Sequence, residues 1–143
     1  NRLINASDVT SVWWDAFLVA KRDGQLIKYE NDQTRNPHYR IKGINGEPGK
    51  YVLQIKIKEV YRYYSKYCFE NKLTALPISN IIEILTAKGY KWFYPQIQPS
   101  REGRVYRDAK FATCYQFRLN SLGGDEWELD NITFKSEYSE YSE

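Results

Sequence analysis

Apolar side chains recur at intervals of three and four residues in three stretches of the chain, which is the spacing that places them on one face of a helix. The predicted helices span residues 8–22, 57–72 and 78–88. Ser7 and Asp8 supply a polar cap for the first helix, and Gly89 ends the third. In the first helix Trp14 lies off the apolar stripe, so we expect it to pack on a second surface.

Other stretches alternate between apolar and polar residues, which is the period of a half-buried strand. The predicted strands span residues 25–30, 39–44 and 51–57, followed by a hairpin of residues 90–98 and 105–119. A loop rich in Gly and Pro, residues 43–49, marks a boundary between the first strands and the rest of the chain.

A helix, a turn, a second helix and a hairpin in this order are typical of a winged helix. We therefore predict an α+β fold in which residues 50–119 form a winged helix-turn-helix domain. Residues 1–49 extend it with an N-terminal helix and short strands and act as a connector. Residues 120–143 form an acidic tail that is partly disordered.

Charge divides the chain in the same way. Residues 50–119 contain 13 Lys and Arg against 5 Asp and Glu, a balance of +8, whereas residues 120–143 contain 1 against 7, a balance of −6. The net charge of +3 therefore hides a strong asymmetry along the chain. Such asymmetry points to a polyanionic partner for the middle segment and to a tail that competes with that partner or serves as a solubilising end.

The nucleic-acid-binding candidates form two basic groups with two aromatic side chains. On or beside the predicted wing are Lys88, Lys91, Arg101, Arg104, Arg107 and Lys110, and on the preceding helix are Arg62 and Lys66. Trp92 and Tyr94 lie among the wing cations, where rings can stack on unpaired bases. A solvated hairpin is the alternative for the cations, and a place in the core is the alternative for each ring.

The predicted recognition helix is poor in groups that read bases. Its outward positions include Asn80 and Glu83, and Glu83 would repel phosphate. We therefore expect binding to be led by the wing and to be largely independent of sequence.

Catalytic, metal-binding and membrane-spanning patterns are missing from the sequence. The lone His38 has no nucleophile or acid at motif spacing, and Cys68 and Cys114 are expected to be buried, reduced thiols. We predict no catalytic residue, metal or cofactor in this chain and no membrane partner. The expected setting is the cytoplasm.

Two spacing patterns carry a family resemblance. Tyr61, Tyr64 and Cys68 form a Tyr-x-x-Tyr-x-x-x-Cys helix, and Leu85 to Tyr90 form Leu-x-x-x-Gly-aromatic after the second helix of the pair. Over residues 51–119 the chain resembles the C-terminal winged helix of phage, plasmid and poxvirus-type replication proteins with superfamily 3 helicase cores. Among such proteins, the chain most resembles part of a phage primase-polymerase fused to a helicase, like that of a deep-sea vent phage.

The resemblance implies that the chain is a piece of a larger primase, or DNA polymerase, with ATP-dependent helicase activity, and that this piece is not itself an enzyme. Its implied partners are DNA, single- or double-stranded, and the helicase core of the same polypeptide, with a homo-oligomeric parent as a further possibility. Trp13, Trp14 and Phe17 would then contact that core. The alternative function is a protein–protein interaction module without DNA binding of its own.

Overall fold

The computed structural model describes residues 6–31, 33–44, 46–95 and 114–119. In these ranges the chain is α+β, as predicted, and no helix there has the length and apolarity needed to cross a membrane. The helices are α1 (Ala6–Arg22), α2 (Ile57–Glu70) and α3 (Ile78–Leu85). The strands are β1 (Tyr39–Gly43), β2 (Tyr51–Ile55) and β3 (Tyr115–Arg118).

The three strands form one antiparallel sheet in the order β1-β2-β3. Phe93 forms a single antiparallel bridge with Phe117, so the segment before the predicted wing runs along the outer side of β3. In the described part of the strand predicted over residues 90–98, Tyr90 and Phe93 form isolated bridges and no continuous strand is present. The order of helices and strands is compatible with a winged-helix-like fold.

The aromatic side chains of α1 form the centre of the core. Trp13, Trp14 and Phe17 are almost completely buried, and α1 packs against α2 and α3. The ring of Trp14 lies edge-on to that of Phe117 with 5.2 Å between centroids, and its Nε1 donates a 2.6 Å hydrogen bond to the Tyr90 hydroxyl. The second surface expected for Trp14 is therefore the sheet side of the core. The expectation that these three rings contact a helicase core is wrong, because they fill the inside of this domain.

The predicted strand over residues 25–30 is also wrong. Only Lys28 forms a bridge, a parallel one to Tyr39. Past that bridge the backbone N–H groups of Glu30 and Asn31 donate to the Thr34 hydroxyl, which turns the chain away before a ladder can form.

Helices α2 and α3 both end earlier than the sequence predicts. At the end of α2, Lys72 has a φ of 59°. The N–H of Leu73 donates to the Cys68 carbonyl at 2.8 Å, which is the closing bond of a Schellman motif. At the end of α3, the Thr86 hydroxyl donates to the Ile82 carbonyl at 2.7 Å. This bond satisfies a carbonyl of the last helical turn, and the helix ends at Leu85, before Lys88.

Two tyrosines of α2 fix the turn that leads into α3. The Tyr61 hydroxyl donates to the Leu76 carbonyl at 2.6 Å, and the Leu76 N–H donates to the Tyr64 hydroxyl at 3.0 Å. Burial raises the pKa of Tyr64 to about 12, so the phenol remains neutral at physiological pH. Both backbone groups of the residue before Pro77 are therefore satisfied, and this holds the start of α3 in place.

Candidate nucleic-acid interface

Cationic and aromatic side chains lie close together where the segment of residues 90–95 meets β3. The Arg118 N–H donates to the Trp92 carbonyl at 2.6 Å, and the Tyr94 N–H donates to the Gln116 carbonyl at 2.9 Å. These bonds hold the side chains of the two segments at fixed positions along one edge of the sheet.

Two cation–aromatic pairs form on this edge. The Lys91 Nζ lies 5.1 Å from the centroid of the Trp92 ring, and the Arg118 Cζ lies 4.6 Å from that of Tyr94. Both distances are within the range in which a ring quadrupole attracts a cation. We call these four side chains the edge cluster. Its two cations are exposed, Tyr94 is half-buried and Trp92 is buried.

The sequence-predicted site residues divide into three sets in the structure. Lys91, Trp92 and Tyr94 come together in the edge cluster, and Lys88 is exposed in the turn that precedes it. The set Arg101, Arg104, Arg107 and Lys110 lies outside the described residues.

The third set, Arg62 and Lys66, lies on α2 in other surroundings. Both side chains are exposed. The Arg62 guanidinium lies over the ring of Tyr63 with 5.3 Å to the centroid. Lys66 lines a shallow hollow together with residues of α1, among them Ala16 and Val19. These cations therefore form a second patch beside α1 and do not contribute to the edge cluster.

The exposed surface of α3 is polar and carries no cation. Its exposed residues are Ser79, Asn80 and Glu83. The side chains that neutralise phosphate or bind guanine through two hydrogen bonds are Lys and Arg, and α3 offers neither. Of the predicted site cations that the structure describes, Lys91 lies on the sheet edge, Lys88 lies in the turn before it, and Arg62 and Lys66 lie on α2.

A cavity of about 350 Å³ opens beside the edge cluster. It lies between the β1–β2 loop and the last residues of β3, and its lining includes Lys50, Tyr51, Trp92 and Arg118. Sequence reasoning missed Lys50, Tyr51 and Arg118 as site residues. The available signals were weak: Arg118 is the terminal polar position of an alternating strand, and Lys50 directly follows the Gly-rich loop.

A chain of side-chain hydrogen bonds crosses the sheet behind the edge cluster. The Arg40 Nε donates to Gln54 Oε1 at 2.6 Å, and Gln54 Nε2 donates to Gln116 Oε1 at 2.6 Å. Gln116 Nε2 then reaches the Tyr94 carbonyl at 3.5 Å. Gln54 and Gln116 are buried, and each uses its amide to link neighbouring strands. We call this row the amide ladder. It connects β1 to the segment that carries Lys91 and Tyr94.

His38 has a structural position. Its Nδ1 accepts a 2.9 Å hydrogen bond from the Ile27 N–H, and its ring packs edge-on against Tyr63. Burial is the main cause that lowers the pKa of His38. Arg62 and Lys56 lower it further, whereas Glu59 opposes them. The neutral imidazole is therefore the form that the fold stabilises.

The remaining candidate chemistry of the described residues is limited. Cys68 and Cys114 are both buried and are not bonded to each other, and burial raises the pKa of the Cys68 thiol. In the part of the chain that the structure describes, no three His, Cys, Asp or Glu side chains group closely enough to hold a metal ion.

No protein-family model, curated protein or solved structure matches the chain.

Proposed function

We propose that this chain is a winged-helix DNA-binding domain that serves a replication protein, such as a primase-polymerase with a helicase. It holds template DNA, or positions the helicase on it, through cations at the base and along the strands of the predicted wing. The observation that carries the proposal is the edge cluster, in which Lys91 and Arg118 are each held over a ring where the chain enters and leaves residues 96–113. Such a protein would work in the cytoplasm.

The distribution of charge supports contact with the DNA backbone. Exposed cations lie on the sheet edge, whereas α3 exposes Asn80 and Glu83. A cation that neutralises a phosphate releases counterions from the DNA. This release raises affinity without reading the base sequence. We therefore expect similar affinity for DNA of unrelated sequence.

The test is fluorescence anisotropy with labelled DNA over a salt series. In the variant R101E/R104E/R107E, affinity is expected to fall by at least tenfold, and the dependence on salt to become shallower. Each neutralised phosphate contributes roughly 0.7 to 0.9 to the slope of log affinity against log salt. Lys28→Glu/Lys58→Glu/Lys72→Glu provides a control, because it also reverses three cations, all exposed and outside the proposed interface. Equal effects of the two variants would contradict a wing interface.

A second candidate function rests on one exposed apolar surface. Phe69 is 83% exposed at the end of α2, and Leu73, just after it, is 43% exposed. An exposed ring beside an apolar neighbour is a common feature of interfaces. The rings of α1 are buried and cannot dock on the helicase core of the same polypeptide. Among the residues that the structure describes, Phe69 and Leu73 are the candidates for this contact.

The two functions differ in their response to salt and to substitution. Docking through Phe69 is expected to be almost insensitive to salt and to be lost in Phe69→Ser, as measured by pull-down with the helicase core. DNA binding through the wing is expected to be unaffected by Phe69→Ser. Loss of DNA affinity in this variant would argue that the two surfaces are one.

A further inference from the structure

The cavity beside the edge cluster has walls that hydrogen bonds hold in place. The Ile44 N–H donates to the Lys50 carbonyl at 2.9 Å, which closes the β1–β2 loop, and the Leu119 N–H donates to the Tyr51 carbonyl at 3.1 Å. The loop itself turns at Gly49, whose φ of 82° suits glycine far better than other residues. The cavity is thus framed by backbone bonds on the loop side and on the β3 side.

The lining combines chemical groups that suit a nucleotide. Lys50 and Arg118 are exposed cations that can neutralise a phosphate, and Tyr51 supplies an aromatic ring. Ile44, Pro48 and Leu119 add apolar surface, and Glu47 is the one acid among the lining residues. The volume of about 350 Å³ lies at the lower end of the range of about 300–1,000 Å³ that is usual for small-molecule sites.

The ring of Tyr51 is supported from one side. Gly43 lies directly opposite Tyr51 in the β1–β2 pair. A Cβ atom built on Gly43 would lie 3.9 Å from Tyr51 Cε2, so the ring rests against a residue without a side chain. This contact restricts the ring before any ligand arrives, which reduces the entropy lost on stacking.

From these observations we infer that the cavity takes one unpaired nucleotide of single-stranded DNA, with its base against Tyr51 and its phosphate between Lys50 and Arg118. This inference rests on the proposed function and makes it more specific. A paired base is stacked inside a duplex and cannot enter such a cavity without being flipped out. The domain therefore prefers single strands, or the single-stranded part of a junction.

The experiment compares three labelled probes by anisotropy: an oligo(dT) of roughly ten nucleotides, which is within known site sizes, the same backbone with abasic residues, and a duplex of equal length. Wild-type protein is expected to bind oligo(dT) about tenfold more tightly than the abasic strand, because base–aromatic stacking contributes about 1–3 kcal/mol per base. Tyr51→Leu is expected to remove this difference while preserving the cover over Gly43.

A charge variant tests the phosphate contacts. Lys50→Gln is expected to weaken oligo(dT) binding severalfold and duplex binding much less, because Lys50 lines the cavity and is not part of the edge cluster. Lys58→Gln is the matched control, because it removes one exposed cation that does not line the cavity. If Tyr51→Leu does not fold, as judged by circular dichroism, the charge variant is compared on oligo(dT) and the abasic strand. A smaller preference for oligo(dT) than in wild type would support the nucleotide site, and an unchanged preference would overturn it.

The outcomes separate this inference from the proposed function. Equal wild-type affinity for oligo(dT) and the abasic strand, with duplex binding intact, would overturn the nucleotide site and leave the DNA-binding domain standing. Absence of binding to all three probes at low salt would overturn both. A lower affinity of the cavity variants for oligo(dT) and duplex alike would also overturn the nucleotide site.

Discussion

The two faces of the three-stranded sheet both contain fully buried side chains, but different chemistry stabilises them. On the face toward the helices, Leu53, Ile55 and Phe117 pack into the aromatic core with α1. On the other face, Gln54 and Gln116 are equally buried and are satisfied by the amide ladder. Burial therefore does not distinguish the faces. The apolar face is stabilised by area and ring contacts, and the polar face by hydrogen bonds with specific geometry.

The contrast predicts different costs of substitution. Apolar packing tolerates small shifts in geometry, and its contribution grows with the area that is removed from water. A buried amide contributes little net free energy while it is paired, but its partner becomes costly when the pair is broken.

The largest expected effect is on the apolar face. Trp14→Ala removes a fully buried ring and leaves the Tyr90 hydroxyl without its donor, so we expect the free energy of unfolding to fall by about 3–5 kcal/mol. Urea denaturation followed by circular dichroism measures it. Trp14→Phe keeps a ring but not the donor, and its cost is expected to lie well below that of Trp14→Ala. If Trp14→Phe lowered the free energy of unfolding as much as Trp14→Ala, the effect would come from the lost hydrogen bond and not from the lost ring.

An intermediate effect is expected on the polar face. Gln116→Leu leaves the Gln54 amide buried without its acceptor, at a cost of about 1–3 kcal/mol. In Gln54→Leu/Gln116→Leu both amides are gone, and we expect a cost smaller than the sum of the single variants. Strict additivity in this double-mutant cycle, measured by urea denaturation, would show that the two amides do not act as a unit.

The smallest expected effect concerns His38, and it depends on pH. Because the fold lowers the pKa of His38 below its usual value near 6.5, the unfolded chain takes up the proton first as pH falls. The stability that this residue contributes is therefore full above about pH 6.5. It declines as pH falls below 6.5 toward the folded-state pKa.

The variant His38→Asn provides the comparison for this pH dependence. The Asn side-chain oxygen can replace Nδ1 as the acceptor for the Ile27 N–H but does not titrate. Urea midpoints at pH 7.5 and 5.5 are expected to differ less in the variant than in wild type. Because the rest of the chain is the same in both proteins, any pH response that does not come from residue 38 cancels in the comparison. An identical pH response in the two proteins would contradict the assignment.

The apolar face was predictable from the sequence, and the polar face was not. Period-two alternation through Tyr115 and Phe117 predicted which side of β3 faces the core, and helical spacing predicted the stripe of α1. In a half-buried strand the same alternation would place Gln116 toward solvent. Nothing local shows that a glutamine 62 residues away will accept and donate hydrogen bonds across the sheet.

The candidate site was predictable only where cations and rings are adjacent in sequence. Lys91 and Trp92 are neighbours along the chain, so a pattern could single them out. Arg118 joins Tyr94 through strand pairing, and Lys50 joins Arg118 through the closure of a loop. Such contacts depend on register, which a single residue of slippage would change.

The hydrogen bond from Trp14 to Tyr90 spans 76 residues, which has a consequence for biosynthesis. At about 5–20 residues per second, a ribosome takes roughly 4–15 s to deliver Tyr90 after Trp14. During this interval α2 and α3 can pack against α1, but the indole of Trp14 lacks its hydrogen-bond acceptor on Tyr90 and the ring of Phe117. The core of the nascent domain is therefore completed only when β3 emerges.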